Sequence, residues 1–245
     1  MSNTGLNGAP TFASVLRDYG RDKRQGELRG DWAVLLFYRI WSFPLIWLLA
    51  RTPVSPTAVT LSSVPLALSM PVLALTLPLE QAALGVGLVA IVFQILDCVD
   101  GGLARCTGRT SRLGGTLDFL IDMAQWGLLY GSIGLLADRV LDTGALWTAV
   151  GCAAAWVRLY ARVVRDAGAG GADAVHAADA AGEKRPAGPL DIVLWFFAGL
   201  SGAIPPALLL AWWSGTLSWL IVFLLVYALA DVAEGLVETL ARRDG

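Results

Sequence analysis

Two stretches of this sequence, residues 52–79 and 192–230, contain no charged residue at all. A helix that crosses the hydrocarbon core of a bilayer needs about 20 mostly apolar residues. The first run supplies one such helix and the second is long enough for two. Only 16% of the 245 residues are charged, against about 25% in an ordinary soluble domain. A single soluble α/β domain does not fit that composition. The chain reads as an all-α integral membrane protein, because a helix satisfies its own backbone polar groups where no water can.

Six spans can be placed. The first begins near Pro56, and the second runs from about Gln81 into Asp97 and Asp100. The third covers residues 113–137 and the fourth residues 143–165. Ser214 and Gly215 divide the last run into a fifth and a sixth, and Pro205 and Pro206 predict a kink or end in the fifth. Residues 31–51 are also apolar, but as a span they would carry Arg39 to the membrane centre at about 2.5–3.5 kcal/mol. Pro44 interrupts them as well, while Trp32, Trp41 and Trp47 suit an amphipathic helix lying in the interface. The expected organisation is a cytoplasmic segment at 1–30, an interfacial helix at 31–51 and a six-helix membrane domain at 52–241. Within that domain, residues 166–189 read as a flexible cytoplasmic loop of Ala, Gly and Asp. With both termini inside, every lysine and arginine except Arg139 falls on the cytoplasmic side, as the positive-inside rule requires. Trp147, Trp212, Trp213 and Trp219 then sit near the outer interface. The predicted location is the plasma membrane, multi-pass.

Residues 97–122 read DCVDGGLARCTGRTSRLGGTLDFLID. Asp97 and Asp100 close the second span; Asp118 and Asp122 open the third. Spacings of three and four place each pair on one helix face, and the short connecting loop lets all four carboxylates converge. Ionisable groups inside spans mark function by default. The helix dipole disfavours Asp97 and Asp100 at a C-terminal end, and two carboxylates 4 Å apart repel by about 4 kcal/mol at an effective dielectric of 20. Two remedies are open. Arg105, Arg109 and Arg112 can neutralise the cluster as salt bridges. Alternatively divalent cations do so, and an all-oxygen ligand set favours Mg²⁺ or Mn²⁺. Four carboxylates suit two ions, an arrangement fitted to displacement at phosphorus.

Gly101, Gly102, Gly114 and Gly115 flank these aspartates, and Gly114 at a helix start can offer amide N–H groups to a phosphate. No P-loop or GxGxxG run occurs. The one histidine, His176, lies in the Ala/Gly loop, which leaves a carboxylate as the general base. Cys98, Cys106 and Cys152 show no metal or redox spacing and read as small fillers.

The segment resembles the CDP-alcohol phosphotransferase family, whose signature is D-x2-D-G-x2-A-R-x8-G-x3-D-x3-D. Asp97, Asp100, Gly101, Ala104, Arg105, Gly114, Asp118 and Asp122 occupy every fixed position. The resemblance implies that Asp97, Asp100 and Asp118 are ligands of a dinuclear metal site, with Asp122 touching the second metal and acting as general base. It implies a CDP-linked donor, of which CDP-diacylglycerol is the expected one, a hydroxyl acceptor and release of CMP in phospholipid biosynthesis. The alternative is transfer of a small headgroup from a soluble CDP-alcohol to a lipid hydroxyl. Gly101, Arg105 and Ser111 match positions that hold the CDP moiety, and Gly114 belongs to the same motif. Residues 55–60 are similar to the family's stretch at the start of the first span, so Thr57, Ala58, Val59 and Thr60 are expected donor contacts. Thr57 stands where the family has Asn or Asp. A homodimer with a cavity open to the cytoplasm is implied, and no nucleic-acid partner is expected.

Arg158, Arg162 and Arg165 recur at helical spacing near the end of the fourth span. They read either as positive-inside anchors or as a site for an acceptor phosphate. Family members that use inositol phosphate carry basic residues in this region, which implies a phosphorylated polyol. Their glutamate- and arginine-rich motif before the fifth span is absent, and residues 183–186 read Glu-Lys-Arg-Pro. Asp231, Glu234 and Glu238 near the end of the sixth span read either as a headgroup site or as a solvated helix end, and the second is the expectation. A transporter with buried carboxylates is the competing class, but it predicts charges at the midplane of several helices and often an internal repeat. The sequence has neither.

Overall fold

The computed structural model describes residues 10–168 and 195–241, and all their regular structure is helical. Residues 169–189 of the expected loop, with His176, Lys184 and Arg185, lie outside the described residues, as do Arg242 and Arg243.

Helix α1 (Phe12–Tyr19) starts where Thr11 Oγ1 accepts the Ser14 amide at 3.1 Å, and stops at Gly20, whose φ of 65° few other residues adopt. Helix α2 (Arg21–Gly30) follows. Residues 1–30, read from sequence as a polar cytoplasmic segment, therefore contain two helices among their described part. Helix α3 (Trp32–Leu49) contains a π-helical turn at Leu35–Arg39. Helix α4 (Pro56–Thr76) opens with Ser55 Oγ accepting the Ala58 amide at 3.1 Å, and with proline at the first helical position. Helices α5 (Leu79–Thr107), α6 (Arg112–Leu141), α7 (Leu146–Gly168), α8 (Trp195–Trp213) and α9 (Leu217–Ala241) complete the described chain.

Six of these are long and apolar enough to cross a membrane, and the number matches expectation. The six are α3, α4, α5, α6, α8 and α9. Helix α3 joins the set although Arg39 argued for the interface, and α7 falls outside it because its arginines dilute an otherwise apolar stretch. Length and composition alone place α3 in the set; its Arg39 is buried among protein groups, 5% exposed, and paired with Glu27. The cost of a bare guanidinium in lipid does not apply to a neutralised one. In α8 the α-helical pattern yields to a 3-10 turn at Leu200–Ala203, on the N-terminal side of Pro205 and Pro206. The prolines sit in the first turn of the helix that resumes, where their missing N–H is not needed.

The chain divides into two compact units. The first comprises Met1–Leu66, Ile91–Asp122 and Ile192–Ile204. Its core is formed by Val15, Ile46, Val59, Val99 and Leu103. A Cβ at Gly102 would collide with the Ile46 side chain, so glycine permits the close approach of α3 to α5. Trp32 Nε1 donates to the Phe196 carbonyl at 3.0 Å, and the Tyr38 hydroxyl donates to that of Gly202 at 2.6 Å.

The second unit comprises Ala67–Ala90, Met123–Asp191 and Pro205–Gly245. Here α6 and α7 touch backbone to backbone: a Cβ at Gly151 would lie 2.5 Å from the Tyr130 carbonyl oxygen. A Cβ at Gly134 would lie 2.6 Å from Thr148 Cα. Small residues at membrane helix contacts allow this. Asp138 caps the start of α7, accepting the amides of Trp147 at 2.9 Å and Thr148 at 2.8 Å. Gly151→Ala is therefore expected to destabilise the protein by about 1–3 kcal/mol through overpacking. Gly127→Ala, at a site with no neighbour within 4 Å, should leave the Tm unchanged or raise it. Thermal unfolding of both variants in detergent checks the contrast.

Candidate metal centre

The turn between α5 and α6 is set by local chemistry. Gly108 adopts φ 65°, and the Arg109 amide donates back to the Ala104 carbonyl at 2.9 Å, which closes α5. Ser111 Oγ then accepts the Gly114 amide at 3.0 Å and caps α6. The helix ends so joined bring Asp97, Asp100 and Asp118 together: one carboxylate oxygen from each lies within 4.8 Å of the other two. The Asp122 carboxyl interacts with that of Asp97. All four sequence-predicted aspartates thus meet in the first unit.

Asp100 is the most enclosed, at 4% exposure, while Asp97 and Asp118 are half-buried. Its orientation is fixed from two directions. Thr60 Oγ1 donates to its Oδ2 at 2.6 Å, and the Gly101 amide donates to its Oδ1. The gathered donors are oxygens only, with no histidine or thiolate in the group. That set fits a hard divalent cation such as Mg²⁺ or Mn²⁺, and it leaves several negative charges at close range for such an ion to neutralise.

The predicted donor contacts divide. Thr57 is half-buried, and its Oγ1 lies 3.7 Å from where a Cβ at Gly114 would stand, so the two expected contact positions are neighbours. Ala58 is exposed. Val59 is 4% exposed and its side chain belongs to the apolar core; its expected role as a donor contact is left to its backbone. Thr60 is turned onto Asp100. Arg105 is exposed and folds back over Gly101, where a Cβ would stand 3.3 Å from Nη1. The Gly114 amide, expected to be available to a phosphate, is already bonded to Ser111 Oγ. The reason is ordinary capping: the serine satisfies the donor that a helix start leaves open.

Arg158, Arg162 and Arg165 belong to the second unit. Arg158 is 5% exposed, with its guanidinium 3.6 Å from the Trp126 ring centroid, 5.0 Å from that of Tyr227, and Nη1 3.5 Å from Asp231 Oδ2. Arg165 pairs with the other Asp231 oxygen. Asp231 is therefore an internal counterion with a 14% exposed side chain, and not the solvated helix end read from sequence. Two arginines two turns apart on one face of α7 hold it out of water. The signal was available: an acid within an otherwise apolar helix calls for a named partner. Glu27, the buried partner of Arg39, had no such signal, because its neighbours in sequence are polar.

The sequence profile described as CDP-alcohol phosphatidyltransferase matches residues 54–227. That range includes all four aspartates. No curated protein matches the sequence.

Thr60→Val removes the hydroxyl that orients Asp100 while keeping the side chain's shape. Mn²⁺ affinity of the purified protein, followed by electron paramagnetic resonance, should fall about tenfold, the lower end of what loss of a ligand's hydrogen-bond partner causes. Thr60→Ser should restore it.

Proposed function

This chain belongs to the CDP-alcohol phosphatidyltransferase family, and from that membership we propose that it transfers a phosphatidyl group from CDP-diacylglycerol to a hydroxyl acceptor, releasing CMP. A phosphorylated polyol such as inositol phosphate is the acceptor we favour. The observation that carries the reading is the meeting of Asp97, Asp100 and Asp118 within 4.8 Å at the junction of two apolar helices.

In this reading Asp97, Asp100 and Asp118 hold two divalent ions, Mg²⁺ or Mn²⁺, with Asp122 beside the second. Ions bound there supply positive charge against the diphosphate and the departing nucleotide. Asp122 takes the proton from the acceptor hydroxyl. The freed oxygen forms a bond to the β-phosphorus of the donor as the phosphoanhydride bond breaks, and CMP leaves with that electron pair. Thr57, Ala58, Val59, Thr60, Gly101, Arg105, Ser111 and Gly114 frame the donor, and the exposed Arg105 guanidinium suits its diphosphate. Arg158, Arg162 and Arg165 serve the acceptor phosphate, which would exchange with the Asp231 carboxylate on Arg158 and Arg165.

The chain sits in the plasma membrane as a homodimer, with termini and active site facing the cytoplasm. Helix α7 crosses and α3 lies in the interface. If α3 crossed instead, the basic residues of α1 and α2 would be placed on the far side, against the positive-inside rule.

The test is CMP release by the purified protein with CDP-diacylglycerol and Mn²⁺, across inositol phosphate, glycerol phosphate and serine. Asp122→Asn should lower the rate at least about 100-fold, the least a general base contributes, with an unchanged Tm. An Asn variant that turns over normally refutes Asp122 as the base. Release only when a soluble CDP-alcohol replaces the lipid donor refutes the donor assignment.

A further inference from the structure

Arg39 is the charged residue of α3, and each arm of its guanidinium is engaged. Nε donates to Glu27 Oε2 at 3.2 Å, Nη2 donates to Glu27 Oε1, and Nη1 donates to the carbonyl oxygen of Cys98 at 3.0 Å. Glu27 is 2% exposed and also accepts the Tyr19 hydroxyl, while Lys23 Nζ lies 3.6 Å from it. The Tyr19 ring covers the guanidinium, 5.2 Å from centroid to Cζ. Burial first, and then the bond to Glu27, raise the Tyr19 phenol above its ordinary pKa, so it stays a donor. Groups from α1 and α2 therefore converge on the one guanidinium of α3 that bonds a backbone atom of α5. That atom belongs to the residue after Asp97 and two before Asp100.

We propose that Arg39 is a positioning residue for the cation site, fixing α5 at the Cys98 carbonyl so that Asp97 and Asp100 keep their spacing toward Asp118. The bidentate grip on Glu27 sets the plane of the guanidinium, which leaves Nη1 only one direction in which to point. The π turn at Leu35–Arg39 contains the residue that makes these bonds, and such turns recur at functional sites. The contact lies within the first unit, as do the aspartates it serves. Through Tyr19 and Glu27, helices α1 and α2 thus orient the arginine that orients the ligands.

The inference rests on the reading that Asp97 and Asp100 hold divalent ions, so the test separates the two. Arg39→Lys keeps the charge and a bond to Glu27, but one ammonium cannot reproduce the fork that reaches Glu27 and Cys98 together. Glu27→Leu/Arg39→Met replaces the buried pair with apolar groups, a change that often leaves stability intact. Each protein is measured for Mn²⁺ affinity by electron paramagnetic resonance, for hydrogen exchange across residues 97–105, and for Tm. Both variants should bind Mn²⁺ about 10–100-fold more weakly and exchange faster across 97–105, with Tm close to that of the parent. Parental Mn²⁺ affinity and exchange in Arg39→Lys overturn the proposal, and this variant decides alone if the double one does not insert. A parent that binds no Mn²⁺ removes the metal reading instead. In that event the exchange comparison still decides whether Arg39 fixes α5.

Discussion

Three carboxylates held within 4.8 Å of one another at the end of apolar helices would drive those helices apart if left alone. At an effective dielectric of 20, each close pair repels by about 4 kcal/mol. The local chemistry nevertheless works to keep them together. Gly108 turns the chain, Ser111 caps α6, and Thr60 and the Gly101 amide hold Asp100 in one orientation. Such an arrangement makes physical sense when the missing positive charge comes from a cation, and oxygen ligands determine which cations fit. The membership in a phosphatidyl-transferring family and the electrostatics thus point the same way.

The same rule governs charges elsewhere in the apolar helices. Arg39 is answered by Glu27, Arg158 and Arg165 by Asp231, and Asp138 by the first amides of α7. Arg139 reaches the carbonyls of Ala74 and Leu77 at the end of α4, where a cation is favoured by the helix dipole. In each of these cases the partner is a protein group. Charges in such an environment report contacts, and the aspartate cluster is distinct because its members are all of one sign.

Much of this could be read in the sequence because the informative signals are local. Spacings of three and four put Asp97 with Asp100 and Asp118 with Asp122, and the short connecting loop set the two pairs side by side. The apolar stretches led to a count of six, although α3 stands in that set where α7 was expected. What escaped depends on contacts far apart in the chain. Arg39 meets Cys98 across 59 positions and Arg165 meets Asp231 across 66. No periodicity announces such pairs, so Arg39 looked costly and Asp231 looked solvated. Val59 shows a subtler limit: a motif can mark a residue near the site, but only packing tells whether its side chain faces the ligand or the core.

The Glu27–Arg39 pair also shows why stability is the wrong measure of its worth. Removing two charges from water costs several kcal/mol each, and their attraction repays this only with excellent geometry. Apolar side chains of similar size would hold α2 to α3 about as well. They could not direct a donor at a chosen carbonyl. An ion pair in this position contributes direction, and the direction it sets ends one residue from Asp97. Its partner Tyr19 covers the guanidinium and donates to the same carboxylate, so the pair is held from a third helix as well. A site whose chemistry depends on tenths of an ångström gains more from that restraint than from another buried leucine.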